Sequence, residues 1–234
     1  MKPVLLLPSS LGTTTELWAA NIPHWGDSFR PLPYDQQGRG SIEELGGDLL
    51  ELIDSHGFER VSICGLSLGG VTAMWVAVNA PERVDRLVLA CTSARFGEPE
   101  PWLERAAIVR DQGLEPIADG IVARWFTPAA PPELVARFRQ QLVERPPRSY
   151  AACCDALARW DFRDRLAEIV APTLVIAGAE DPAAPPEHSE LIARSIPGAT
   201  LVTIPNAAHL ANVEQAEAFS TLVAEHLAQV EEVA

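Results

Sequence analysis

The apolar positions of this chain alternate between two periods. Val4-Leu5-Leu6-Leu7 is a continuous apolar run closed by Pro8-Ser9-Ser10, the pattern of a strand buried on both faces of a parallel sheet. Phe29 to Tyr34 is a poorer strand, weakened by Pro31 and Pro33. The period then changes: Ile42, Leu45, Leu49, Leu50 and Ile53 recur at helical spacing, and the run stops at Gly57. Val61-Ser62-Ile63-Cys64 predicts another strand and Val71 to Val78 a helix after it. Further strands are predicted over Val84 to Cys91, Thr173 to Ala177 and Ala199 to Ile204, with a helix opening near Pro186 and a terminal helix from about Val213. Strands alternating with helices require right-handed crossovers, and so an α/β fold with a mostly parallel sheet covered by helices on both faces.

One stretch breaks the alternation. From Phe96 to Trp160 there is no convincing strand, only several short helices punctuated by Pro99, Pro101, Pro128, Pro131-Pro132 and Pro146-Pro147. Lying between two strands of the sheet, it reads as an inserted helical lid. The expected division is a core of residues 1–95 and 161–234 with a lid of residues 96–160.

Composition narrows this picture. With 234 residues, 47% of them hydrophobic, the chain suits one well-buried domain. A net charge of −14 and the lack of any Lys/Arg run argue against nucleic acid as a partner. The apolar N-terminal stretch ends at Leu7, too short for a signal segment, and no run approaches the ~18 apolar residues of a membrane span. The expectation is a soluble cytoplasmic protein without membrane or nucleic-acid partners, as a monomer or a homo-oligomer. The four cysteines have no metal-ligand spacing and read as small buried apolar residues, so no metal site is expected of them.

The chemistry starts at Gly65-Leu66-Ser67-Leu68-Gly69, between a predicted strand and a predicted helix. A five-residue match of this kind arises by chance in roughly one sequence in twenty, so placement carries the argument. A serine on a strand-to-helix turn stands clear of the sheet, facing the free amides of the new helix. It needs a base, and the base needs an orienting acid. Asp181 follows the strand Thr173 to Ala177, with Glu180 as its neighbouring competitor, and His209 follows the strand ending at Ile204. No acid follows the strand ending at Cys91. The order Ser67, Asp181, His209 places all three at carboxyl ends of strands, on one rim of the sheet. The other histidines, His24, His56, His188 and His226, read as surface residues, and Trp18, Trp75 and Trp160 carry no role on type alone. For an oxyanion hole, position points to the backbone N–H groups of Leu68 and Leu11.

With these residues in place the chain resembles the α/β-hydrolases and, more narrowly, the 3-oxoadipate enol-lactonases of aromatic catabolism. The resemblance spans Ser10-Leu11-Gly12-Thr13 with Leu17-Trp18, Gly65 to Gly70, Ala80-Pro81-Glu82-Arg83-Val84, Arg124-Trp125-Phe126-Thr127-Pro128, Tyr150 to Cys154 and Ala208 to Gln215. The elbow and the Pro-Glu-Arg segment are shared across the superfamily, whereas the lid segments and His209 to Gln215 are particular to the lactonase group. Three departures stand out. The family usually carries a β-hairpin ahead of the strand that here begins at Pro3, so the chain either lacks it or starts late. Ser9-Ser10 replaces the common His-Gly, as in the lactonase variant. Asp35-Gln36-Gln37-Gly38-Arg39-Gly40 stands where many relatives have Asp-x-Arg-Gly-His-Gly, and the loop before Ile42 is shortened.

The resemblance implies a cofactor-free serine hydrolase whose small-molecule substrate is a lactone or ester carrying a carboxylate. An acidic chain must supply a local cation for such a substrate. Arg124 is the candidate, with Trp125 as an apolar wall and Arg39 and Arg163 as runners-up. Competing readings are a general carboxylesterase, a cofactor-free haloperoxidase-like hydrolase, and a small-molecule receptor that retains the triad.

Overall fold

In the computed structural model, which describes residues 2–36 and 38–228, the strands β1 (Val4–Pro8), β2 (Arg30–Tyr34), β3 (Val61–Leu66), β4 (Val84–Ala90), β5 (Thr173–Gly178) and β6 (Thr200–Ile204) form a single sheet. Their order is β2-β1-β3-β4-β5-β6, and every pairing is parallel. Burial explains the order. β1, β3 and β5 are buried along their whole length and occupy the interior, while β2 and β6 carry partly exposed residues and form the edges. Pro31 and Pro33 are tolerated in β2 because an edge strand need not donate on its open side.

The linking helices are α1 (Ile22–Trp25), α2 (Ile42–Ser55), α3 (Leu68–Asn79), α4 (Pro99–Gln112), α5 (Glu115–Val122), α6 (Pro132–Val143), α7 (Pro147–Ala158), α8 (Pro186–Ser195), α9 (Ala211–Glu214) and α10 (Ala216–Ala228). Alternate strand residues feed two cores. Leu5, Leu7, Leu66 and Ile176 pack with Trp18, Trp25 and Phe219 on one face. Val4, Leu6, Ile63 and Val175 pack with Leu45, Leu49, Val71 and Met74 on the other. The start of α2 is capped from both sides: the Glu44 N–H donates to Oγ of the N-cap Ser41 (3.2 Å), while Glu44 Oε2 accepts from the N–H of Gly40, one residue earlier (3.1 Å).

Helices α4 to α7 stand between β4 and β5, and each carries proline at its first or second position. Most of the prolines that punctuate this stretch thus stand at helix starts, where a missing N–H costs little, while Pro128 lies in a turn. A bidentate ion pair from Arg145 to Asp35 (2.8 and 2.7 Å) ties the inserted helices to the loop after β2. Gln37, part of that loop's motif, lies outside the described residues.

Three expectations need correction. The terminal helix is two pieces, α9 and α10, broken where Gln215 leaves helical geometry at φ −125°. His226 is buried, not superficial, with Nε2 3.2 Å from the Pro172 carbonyl, and burial lowers its pKa. His188 is half-buried edge-on to Phe96, and burial lowers its pKa as well. His24 and His56 are exposed. No helix among the described residues is long and apolar enough to cross a membrane, and none of their His, Cys, Asp and Glu side chains form a cluster that could hold a metal ion.

Candidate active site

Strand order reverses between β1 and β3, and the elbow lies at the carboxyl end of β3 beside that reversal, where open α/β sheets bind ligands. Ser67 has φ 55° and ψ −114°, a strained conformation for a residue with a side chain. The surrounding backbone holds it there. Ser67 N–H donates to the Ala90 carbonyl (2.9 Å), and the Ser67 carbonyl accepts from Thr92 Oγ1 (2.7 Å) and Val71 N–H (3.0 Å). The flanking glycines are required by contact: a Cβ on Gly69 would stand 2.2 Å from the Pro8 carbonyl oxygen, and one on Gly65 2.3 Å from that of Gly69. The other side-chain-bearing residues with positive φ, Cys91 and Asn206, follow β4 and β6, so backbone strain gathers on this rim.

Asp181 and His209 meet across two strand ends. His209 Nδ1 is 2.8 Å from Asp181 Oδ2, and both residues are 3% exposed. The other carboxylate oxygen accepts from the N–H groups of Ala183 (2.8 Å) and Ala184 (3.0 Å), so the acid is held in one orientation. This close approach depends on Gly178, where a Cβ would stand 2.3 Å from the Ala208 carbonyl oxygen. Glu180, the competing acid, is exposed. With Nδ1 engaged, Nε2 is the remaining ring nitrogen, and His209 and Ser67 line the same cavity of about 60 Å³. Leu11 lines it too, and the amide of Leu68, at the first position of α3, has no acceptor within its own helix. The Leu11 loop is fixed from below: Gln36 Nε2 donates to the Ser9 carbonyl (2.8 Å) and Thr13 Oγ1 to that of Ser10 (2.9 Å).

The inserted helices supply the rest of the cavity wall. Arg124 and Trp125 face it, as do Trp102, Arg105 and Tyr150. Burial and the neighbouring charge of Arg105 pull the Arg124 pKa down, though an arginine remains cationic. Arg39 and Arg163 are elsewhere: both are exposed, paired with Asp48 (2.7 Å) and Asp161 (2.6 Å), and neither lines the cavity. Two participants escaped the sequence reading. Arg105 gave no local signal, because its relevance comes only from how α4 packs. Glu214 was visible only within the His209 to Gln215 segment. Its carboxylate accepts from Ala208 N–H (2.7 Å), Thr127 N–H (2.8 Å) and Thr127 Oγ1 (2.7 Å), joining the His209 loop to the inserted helices.

A parallel sheet with a strained serine elbow and an acid–imidazole pair on the same rim defines an α/β-hydrolase. The family model described as alpha/beta hydrolase fold matches residues 6–216, and the chain belongs to that family. It is 37% identical to 3-oxoadipate enol-lactonase 2 of Acinetobacter baylyi over 95% of its length and 87% of that protein. The crystal structure of the enol-lactonase from Burkholderia xenovorans matches with a TM-score of 0.94 and 36% identity, covering 98% of this chain and 92% of that one. A thermophilic esterase from Thermogutta terrifontis, solved with malate bound, matches with a TM-score of 0.92 and 30% identity over 97% and 90% of the two chains.

Proposed function

We propose that this hydrolase opens 3-oxoadipate enol-lactone to 3-oxoadipate through an acyl-enzyme on Ser67. The observation that carries this reading is the buried Asp181–His209 hydrogen bond, whose imidazole opens onto the same cavity as the elbow serine. In the first step His209 Nε2 takes the Ser67 proton as Oγ attacks the lactone carbonyl. The N–H groups of Leu68 and Leu11 hold the resulting oxyanion, and Asp181 steadies the imidazolium. Collapse of the tetrahedral intermediate breaks the ring C–O bond and expels an enolate. That leaving group is less basic than an alkoxide, and the proton held by His209 converts it to the enol or directly to the ketone. Water, deprotonated by His209, then attacks the acyl carbonyl and releases Ser67 and the new carboxylic acid.

The substrate assignment is supported by the relatives named enol-lactonase. The malate held by the Thermogutta terrifontis esterase supports an acid-bearing ligand in particular. In the same reading helices α4 to α7 act as a lid over the cavity, with Arg124 meeting the free carboxylate and Trp125 walling the apolar part of the ring.

The test is steady-state hydrolysis of freshly generated lactone by the purified protein, with Ser67→Ala beside it. The variant is expected to lose roughly 10⁴-fold or more in kcat, and full retention of turnover would overturn the acyl-enzyme. The likeness to the thermophilic esterase favours one second reading, a general carboxylesterase. Higher kcat/KM for short p-nitrophenyl esters than for the lactone would select it.

A further inference from the structure

Arg105 on α4 and Arg124 just beyond α5 line the inner cavity beside Ser67 and His209, and both also line a more open groove of about 340 Å³ between α4 and α5. With the buried Ile121, which also lines both, they form the partition between the two spaces. Both are half-buried, and among the described residues neither has a carboxylate within ion-pair distance. Ten other arginines do, although acids outnumber cations by 32 to 18 in this chain. Two like charges share one sheltered wall, and each makes the other more costly. Arg105 stacks on Trp102, 4.6 Å from the ring centroid, and lies beside Tyr150 in the cavity wall.

This arrangement asks for an anion. An inner cavity of about 60 Å³ has room for roughly two water molecules, so a ring-sized substrate enters only if a wall gives way. The wall shared with the outer groove is the one that carries two long cationic side chains without a carboxylate partner. We propose that Arg105 and Arg124 form a two-arginine carboxylate clamp: substrate passes between them from the outer groove, and its free carboxylate then bridges both guanidiniums and closes the partition. The clamp would select lactones and esters bearing a carboxylate remote from the reacting carbonyl, with Arg105 as a specificity determinant equal to Arg124. It rests on the hydrolase reading of the Ser67 cavity.

The test compares the acid-bearing enol-lactone with its neutral methyl ester on the wild type, Arg105→Gln, Arg124→Gln and Arg105→Lys. The ratio of kcat/KM, acid over ester, should fall about 10- to 100-fold in each glutamine variant, mainly through KM. Arg105→Lys should recover part of it, since a point charge replaces a fork. A ratio unchanged in Arg105→Gln, with both substrates slowed alike, would overturn the clamp and leave Arg105 a structural residue. Calorimetric binding of glutarate to Ser67→Ala, alone and with Arg105→Gln, separates this from the chemistry. At least a tenfold weaker affinity in the double variant supports the clamp even where the wild type opens no lactone, and equal affinity overturns it even where turnover is normal.

Discussion

At the scale of single residues the candidate site is built from close backbone approaches. Gly178 shows what such an approach is for, since its missing Cβ lets the Ala207–Ala208 backbone lie against the end of β5 and brings His209 to Asp181. Gly178→Ala must push that segment away, and misplacing an imidazole by about 1 Å costs on the order of 10²-fold in rate. We expect kcat to fall by that order while the protein remains folded by circular dichroism. Gly47→Ala, a helical position where an added Cβ meets nothing within 4 Å, should instead stabilise by about 0.5–1 kcal/mol in urea titration. Ser67, Asp181 and His209 were legible because each follows an apolar run whose end is marked in the sequence. Arg105 was not, since a single arginine on an amphipathic helix looks the same whether it faces solvent or a cavity.

Elements transmit these positions to one another, and Glu214 is the clearest junction. At the end of α9 it accepts three hydrogen bonds from the loop before His209 and from Thr127 after α5, while Leu210 N–H donates to the Trp125 carbonyl (2.9 Å) alongside. Glu214→Gln would turn one acceptor oxygen into a donor facing an N–H. The expected cost is about 1–3 kcal/mol, seen as a Tm lower by roughly 2–10 °C, and a variant as stable as the wild type would refute the junction's importance. The alternating strands and helices were readable from period alone. The break at Gln215 was not, because the residues of α9 and α10 are compatible with one continuous helix; in the fold it falls next to Glu214, whose carboxylate is engaged by the His209 loop and Thr127. The prolines of α4 to α7 were read correctly as punctuation, though they open helices more often than they end them.

For the molecule as a whole, the two-faced core sets the response to acid. His226 is buried against the Pro172 carbonyl with a lowered pKa, caused first by burial and then by the charge of Arg86, and half-buried His188 is lowered by burial too. A histidine whose pKa is depressed on folding binds its proton more readily in the unfolded chain, so stability is fully present above about 6.5 and is lost as pH falls through the folded value. Urea midpoints measured from pH 7.5 to 5 should therefore decline less steeply for His226→Gln than for the wild type. The sheet itself was legible in outline, and its buried strands announced themselves as unbroken apolar runs. Which strands would lie at the margin was written more quietly, in Pro31 and Pro33. Because Arg30 N–H donates to the Pro3 carbonyl and Ser9 N–H to that of Tyr34, residues 30, 32 and 34 face β1 and the two prolines face outward. That border offers carbonyls at both positions and an N–H at neither. A stray β-segment from a misfolded neighbour finds only half of a ladder there, so the weakest strand of the sheet doubles as its guard against aggregation.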